Sequence, residues 1–373
     1  MNKYLNVLYH RRKVGVLAET NDRKVAFEYN SEWLKDGFSI SPFSLPLKKQ
    51  VFIPEKDYFQ GLYGVFADSL PDAWGNILLN RLLAKRGISS DEISMLDRLA
   101  IVGSSGMGAL TYEPEHLLES RDFPVYLDEI AAICQKILLT EYSENLDKLY
   151  KLGGTSGGAR PKILTKVDPE EWIIKFPAHV DGTNSGCMEY DYAQCALNCG
   201  IEMMQTRLFS SKVCKGYFGT KRFDRNHINR VHMCTAAALL ELDFTQPSLD
   251  YHSLMKLTKI LTRDDEKDLE EMYRRMCFNV FAHNRDDHAK NFTFLYNEKQ
   301  AEWQLSPAYD LTYSSTYYGE HTTTVDGNGK NPTSKELIAV GVTAGMHKKR
   351  CLQIAEEIKG IVEKDLRKYL FKE

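Results

Sequence analysis

Residues 283–292, HNRDDHAKNF, crowd two aspartates, two histidines, two asparagines, an arginine and a lysine into one polar stretch directly behind the apolar run MCFNVFA. Asp286 lies five positions before Asn291, the spacing at which a kinase catalytic loop holds its base aspartate and its metal-binding asparagine. Asp287 is one position out of that register. Phosphoryl transfer needs a carboxylate near the acceptor hydroxyl and an oxygen ligand on magnesium, and one tight loop can aim both at the same phosphate. Standing alone, a D-D-H-x-K-N loop also reads as a solvated turn. WQLSPAYDLTY follows after a predicted hairpin and adds a second carboxylate, Asp310, expected at the end of an apolar strand; the competing role is the N-cap of whatever follows. His283 and His288 lack metal-ligand spacing and a nearby third ligand, so His288 is read as bracing the loop.

Upstream, EWIIKFPA sets Lys175 inside a β run, where a buried ammonium is costly unless it meets an anion such as a nucleotide phosphate. Glu189, near the start of the next helix, is its candidate partner, in the manner of the strand lysine and helix glutamate of kinases. By itself Lys175 also reads as an outward-facing edge lysine that discourages strand pairing. Before that strand, KLGGTSGGARPKIL gathers four glycines with Thr155, Ser156, Arg160 and Lys162. Glycines let backbone N–H groups approach phosphate oxygens, and Arg160 and Lys162 add charge. The stretch matches neither G-x-x-x-x-G-K-[ST] nor G-x-G-x-x-G, and a flexible linker is the alternative.

The elements that must carry these groups follow from periodicity. NVLYHRRKVGVLAE and KVAFEYN predict a hairpin arrangement, and LPDAWGNILLNRLLAKRG a helix with a glycine stop. EPEHLLESRDFP reads as a connection, after which KILTKV and EWIIKFPA are strands. SGCMEYDYAQCALNCG predicts a helix capped by Ser185 and ended by Gly200, and SSKVCKGYFGTKRFDR a last strand pair. Beyond about 226 helical spacing dominates, notably in YRRMCFNVFAHN and KKRCLQIAEEIKGIVEKDLRKYLF. The expected class is α+β, with three parts: a small α/β subdomain over 1–112, a sheet-containing lobe over 113–225 and a mostly α-helical lobe over 226–373.

Bulk properties agree. A chain of 373 residues is too long for one small core. Apolar content of 43%, charged content of 27% and a net charge of -3 give no basic excess to hold a nucleic-acid backbone directly. No run approaches the roughly 18 apolar residues of a membrane span, so a cytoplasmic protein without membrane contact is expected. The eight cysteines show no C-x-x-C pair; Cys195 and Cys199 are expected to face a core as reduced thiols.

Taken in order, these motifs resemble the HipA family, serine/threonine kinase toxins of bacterial toxin–antitoxin modules. GGTSGGARPK is similar to the family's phosphate loop, WIIKFP to its nucleotide-lysine strand, MEYDYAQCALNCG to its glutamate helix and RFDR to its hinge. NRDDHAKNF resembles the catalytic loop and LSPAYDL the metal-binding strand, while FADSLPDAWGN and LAIVGSSGMGAL resemble the amino-terminal region of full-length members. The resemblance implies a two-lobed protein-kinase-like fold using ATP and Mg2+. Asp286 would be the base, Asn291 and Asp310 the metal ligands, and Lys175, paired with Glu189, the grip on the phosphates. Gly154, Thr155, Ser156, Gly157, Gly158, Ala159, Arg160 and Lys162 would form the phosphate loop, with His288 beside the nucleotide.

Where the family can carry a glutamate before the hinge, this chain has Lys221, which leaves adenine to the face of Phe223 and to backbone groups. The resemblance further implies self-phosphorylation at Thr155 or Ser156. It implies a protein substrate such as an aminoacyl-tRNA synthetase or other translation factor, and a helix-turn-helix antitoxin of HipB type through which alone DNA is reached. Two rival readings are a small-molecule kinase of aminoglycoside-phosphotransferase type and a binding module that co-represses its operon with the antitoxin.

Overall fold

The computed structural model describes residues 2–116, 126–139, 146–155, 157–178, 181–226, 229–243, 246, 248–316 and 318–371. Ser156 and most of the connection read at EPEHLLESRDFP lie outside them. The chain divides into two compact units: Met1–Gly186 with Leu208–Cys234 and Ala238–Glu241, and Cys187–Arg207 with Thr235–Ala237 and Leu242–Glu373.

The first unit holds a five-stranded and a four-stranded sheet. Strands β1 (Tyr4–Tyr9), β2 (Arg12–Glu19), β3 (Val25–Tyr29), β4 (Val51–Phe52) and β5 (Leu110–Glu113) pair antiparallel in the order β4-β3-β2-β1-β5. The expected hairpin is β1–β2. Its two turn residues, His10 and Arg11, both adopt positive φ (47° and 66°), as a two-residue turn matched to strand twist requires. The helix expected after LPD is α1 (Ala73–Lys85), stopped by Gly87 at φ 71°. Helix α2 (Met95–Val102) starts at Ser94, whose hydroxyl accepts the Asp97 N–H. Helices α3 (Leu127–Leu138) and α4 (Leu146–Gly153) follow.

The second sheet contains β6 (Lys162–Val167), β7 (Glu170–Lys175), β8 (Thr206–Phe209) and β9 (Tyr217–Lys221), in the order β6-β7-β9-β8. Ile163 and Ile174 face each other across β6 and β7 and join Trp74, Leu78, Ile130 and Leu149 in one buried cluster, which pins α1, α3 and α4 to this sheet. SSKVCK is not a strand. The Ser211 hydroxyl accepts the N–H groups of Val213 and Cys214, which diverts the backbone into the turn between β8 and β9, and TRLF supplies the strand instead.

The second unit is mainly helical, with α5 (Ser185–Asn198), α6 (Tyr251–Leu261), α7 (Glu266–Phe281), α8 (Ser334–Thr343) and α9 (Lys348–Asp365). Gly200, at φ 71°, follows the end of α5 as expected, and Arg274 of α7 donates to the Cys199 carbonyl there. Cys195 and Cys199 are buried, and all eight cysteines are free thiols. Helix α7 is capped by Asp265 and α8 by a reciprocal Thr333–Glu336 box. A hairpin of β10 (Thr293–Asn297) and β11 (Glu302–Leu305) interrupts the helices where the sequence predicts one. The class is α+β, as expected. Among the described residues no helix is long and apolar enough to cross a membrane.

Candidate active site

In the second unit, α7 delivers the acidic loop. Helix geometry ends at Phe281, and His283, at φ 53°, turns the chain. Asn284 N–H then bonds back to the Asn279 carbonyl, and its amide nitrogen donates to the Asn279 side chain. The two aspartates now separate. Asp287 is fully buried: one carboxylate oxygen accepts the Tyr251 hydroxyl at 2.9 Å and contacts His321 Nδ1 at 3.0 Å, and the other accepts the Thr323 N–H at 3.1 Å. Tyr251 also accepts from Asn279, so the network returns to the helix that begins the loop. Asp286 points the other way, with its side chain 60% exposed. Asn291 Nδ2 donates to the Asp286 carbonyl at 2.6 Å, closing a turn that brings these two candidates together. His288 caps a short 3-10 turn, Ala289–Asn291, by accepting the Lys290 N–H at Nδ1, which is the bracing expected of it.

Asp310 is neither at a strand end nor a helix cap. Strand β11 stops at Leu305, among the described residues no helix follows until α8, and Asp310 stands in irregular backbone at φ 57°. Side chains and bridges fix this segment in place of a ladder. The Tyr309 hydroxyl donates to the Lys290 carbonyl at 2.6 Å, and Ser314 N–H bonds to the His283 carbonyl at 3.0 Å, so residues 309–314 run alongside the acidic loop. Left-handed backbone at a non-glycine residue is tolerated when its surroundings over-determine it, and such positions cluster at functional sites.

In the first unit, β7 is flanked by β6 and β9, so Lys175 is not an edge lysine. It lies directly across from Lys162, and paired residues of antiparallel strands share a face. Like charges so placed oppose each other, and Lys162 is buried, so this sheet face suits an anion. Lys162 Nζ donates to the Gly157 carbonyl, and Lys175 Nζ stands 5.7 Å from the Phe218 ring centre. The glycine stretch is no slack linker. Gly158, at φ 90°, donates its N–H to Asp72 at 2.9 Å, and the Thr155 hydroxyl, buried, donates to the Ser105 carbonyl at 2.8 Å. Arg160 forms a bidentate pair with Asp181. Gly157 and Ala159 are exposed, and Gly154 is buried.

The RFDR stretch at 222–225 is anchored by a buried charge cluster. Asp224 accepts from Arg222, Arg225 and the Gly108 N–H. Burial alone would raise its pKa, but the two guanidinium groups and the amide outweigh that and hold its carboxyl well below the usual range. Phe223, between buried Arg222 and Asp224, is half-buried, and Lys221 pairs with Glu170 at 3.8 Å. Glu189 is buried on α5. The acidic partners Asp72, Asp181 and Asp224 carry no local signature beyond an R-x-D-R spacing at 222–225.

The family described as HipA N-terminal domain matches residues 5–113, and the HipA-like C-terminal domain matches 154–366. Two curated proteins of Sinorhizobium fredii (strain NBRC 101917 / NGR234) are similar along most of the chain. The one named Putative kinase Y4dM is 24% identical over 345 residues, 85% of this chain and 79% of its own. The one named Putative kinase Y4mE is 23% identical over 373 residues, 91% of this chain and 84% of its own. The HipA of Shewanella oneidensis MR-1, solved in a complex of HipA, HipB and operator DNA, superposes with a TM-score of 0.73 at 17% identity, over 98% of this chain and 90% of that one, and so shares the fold. With family profiles spanning both ends of the sequence, the chain belongs to the HipA family.

Proposed function

We propose that this protein is an ATP-dependent serine/threonine protein kinase, the toxin of a toxin–antitoxin module, acting on a translation-related protein such as an aminoacyl-tRNA synthetase. One observation carries the reading: a turn that buries Asp287 as its anchor holds Asp286 exposed beside Asn291, with the Asp310 segment tied to the same turn through Tyr309. Asp286 takes the proton of the acceptor hydroxyl as that oxygen bonds to the γ-phosphorus; the bond from phosphorus to the β–γ bridging oxygen breaks, and ADP leaves. The Asn291 and Asp310 oxygens are the hard donors that Mg2+ prefers, and the Asn291 amide nitrogen is already committed to the Asp286 carbonyl, which leaves its oxygen available to a metal. When bound, Mg2+ neutralises charge on the phosphate oxygens.

Lys175, Lys162 and the Gly154–Ala159 loop hold the phosphates, with Glu189 as the partner of Lys175, Phe223 against the adenine, and His288 keeping the acidic loop in shape. The names of the Sinorhizobium relatives support a kinase, and the Shewanella complex supports a HipB-type antitoxin as partner, with DNA reached through it. Phosphorylation of Thr155 or Ser156 would add about two negative charges where ATP phosphates sit and so silence the enzyme. The Thr155 hydroxyl is engaged by Ser105, so its modification requires the loop to open. Phosphopeptide mapping after incubation with ATP tests this; an unmodified loop in protein labelled elsewhere contradicts it.

The direct experiment follows labelled γ-phosphate into protein for wild type, Asp286→Asn and Asp310→Asn, with folding checked by circular dichroism. A loss of about 10²-fold or more is expected for each variant. Equal activity in all three overturns the assignments. Wild type that neither binds ATP nor transfers phosphate points to the co-repressor reading, and transfer to small cationic acceptors alone points to the small-molecule kinase.

A further inference from the structure

FADSLPDAWGN and LAIVGSSGMGAL, in the amino-terminal region, have no part in the chemistry above, yet both touch the glycine loop. Asp72 stands at the N-cap of α1 but makes no side-chain cap to its own helix. Its carboxylate instead accepts the Gly158 N–H at 2.9 Å, while the Gly158 carbonyl accepts the Trp74 N–H at 3.3 Å from the first turn of α1. The result is a capping box made between two distant segments: the helix clasps the loop, and the loop caps the helix. Gly75 seals the contact, since a Cβ there would lie 1.9 Å from the Gly154 carbonyl oxygen. From the other side, Thr155 donates to the Ser105 carbonyl of the GSSGMG loop. Asp72 Oδ2 is also 3.3 Å from where a Gly157 Cβ would sit, so the carboxylate closes over the turn.

We infer that Asp72 is a positioning residue for nucleotide binding, and that the amino-terminal region exists partly to hold the phosphate loop in its binding shape. This rests on reading the glycine stretch as the phosphate loop. A loop of four glycines loses much conformational entropy on ordering, and one already clasped binds phosphate without that cost. On that reading Asp72 acts through Gly158 and not directly on phosphate or acceptor. Its loss therefore raises KM for ATP with little change in kcat, whereas a fault in the acidic loop lowers kcat.

The test uses the full chain as wild type, Asp72→Ala, Asp72→Asn and Gly75→Ala, with melting temperatures measured so that unfolded variants are set aside. Two readouts are taken: KM and kcat for ATP, and hydrogen exchange at the 153–160 amides without nucleotide. Asp72→Ala is expected to raise KM about tenfold, the weight of one hydrogen bond to a charged acceptor, and to speed exchange at Gly158. Asp72→Asn, whose amide oxygen can still accept the Gly158 N–H, should restore most of both. Unchanged exchange and unchanged KM in a folded Asp72→Ala protein overturn the inference. Faster exchange with no nucleotide binding even in wild type would keep the clasp and overturn the kinase reading instead.

Discussion

Asp287 shows how a single methylene-linked carboxylate can decide the shape of a loop without entering its chemistry. It takes three donors from Tyr251, His321 and Thr323 in a fully buried site. Asp287→Asn replaces an acceptor oxygen with an NH2 that faces at least one of those donors. The expected cost is about 1–3 kcal/mol of stability, the penalty for leaving a buried polar group unpaired, read as a lower urea midpoint with a slope like wild type. An unchanged midpoint would mean that the loop is anchored elsewhere. The spacing to Asn291 singled out Asp286 from the sequence, and its exposure fits a base. The anchoring role of Asp287 was not legible, because its partners lie about 36 residues away on either side and come together only through the fold. The same holds for Asp72, since nothing in LPDAWGN announces a bond to Gly158.

Among the elements, strongly periodic segments were legible. The β1–β2 hairpin, β6, β7, α5, α7 and α9 each sit where apolar spacing puts them, although Ser185, expected to cap α5, is its first residue and α7 starts at Glu266, ahead of the periodic run from Tyr273. Two segments differed, each because side chains took over from backbone ladders. SSKVCK became a turn through the Ser211 hydroxyl, and the Asp310 segment left the strand five residues early to be held by Tyr309. Helix packing in the second unit yields a sharp prediction. At Gly341 of α8 a Cβ would meet Cys351 Sγ at 2.6 Å and the Tyr273 ring at 2.7 Å. Gly341→Ala should therefore destabilise the unit by about 1–3 kcal/mol through overpacking, despite the better helix propensity of alanine. Stabilisation on thermal melting would show that α8 is free to shift away from α7 and α9.

For the molecule as a whole, charge placement sets how stability responds to pH. Burial pushes Glu241 from 4.5 up to about 7, although it accepts the Gly64 N–H. A carboxyl raised in the folded state contributes stability that is complete below its unfolded value and is lost as pH rises through about 7. His232 works in the opposite sense. Burial lowers it to about 4, so its contribution is present above its unfolded value of 6.5 and is lost as pH falls through about 4. The comparison that isolates Glu241 is urea unfolding of wild type and Glu241→Gln at pH 5 and pH 8. The loss of stability between those values should be smaller in the variant, and an equal loss in both proteins would place the titration elsewhere.

We propose that Lys175 and three oxygen-bearing side chains, those of Asp286, Asn291 and Asp310, serve a single nucleotide. Crystals grown with Mg2+ and a non-hydrolysable ATP analogue test it most directly. The account predicts phosphates on Lys175 and the Gly157–Gly158 turn, Mg2+ on Asn291 and Asp310, and the Asp286 carboxylate facing the γ-phosphate. A nucleotide bound away from Lys175, or a metal ion that leaves Asn291 and Asp310 untouched, would contradict it.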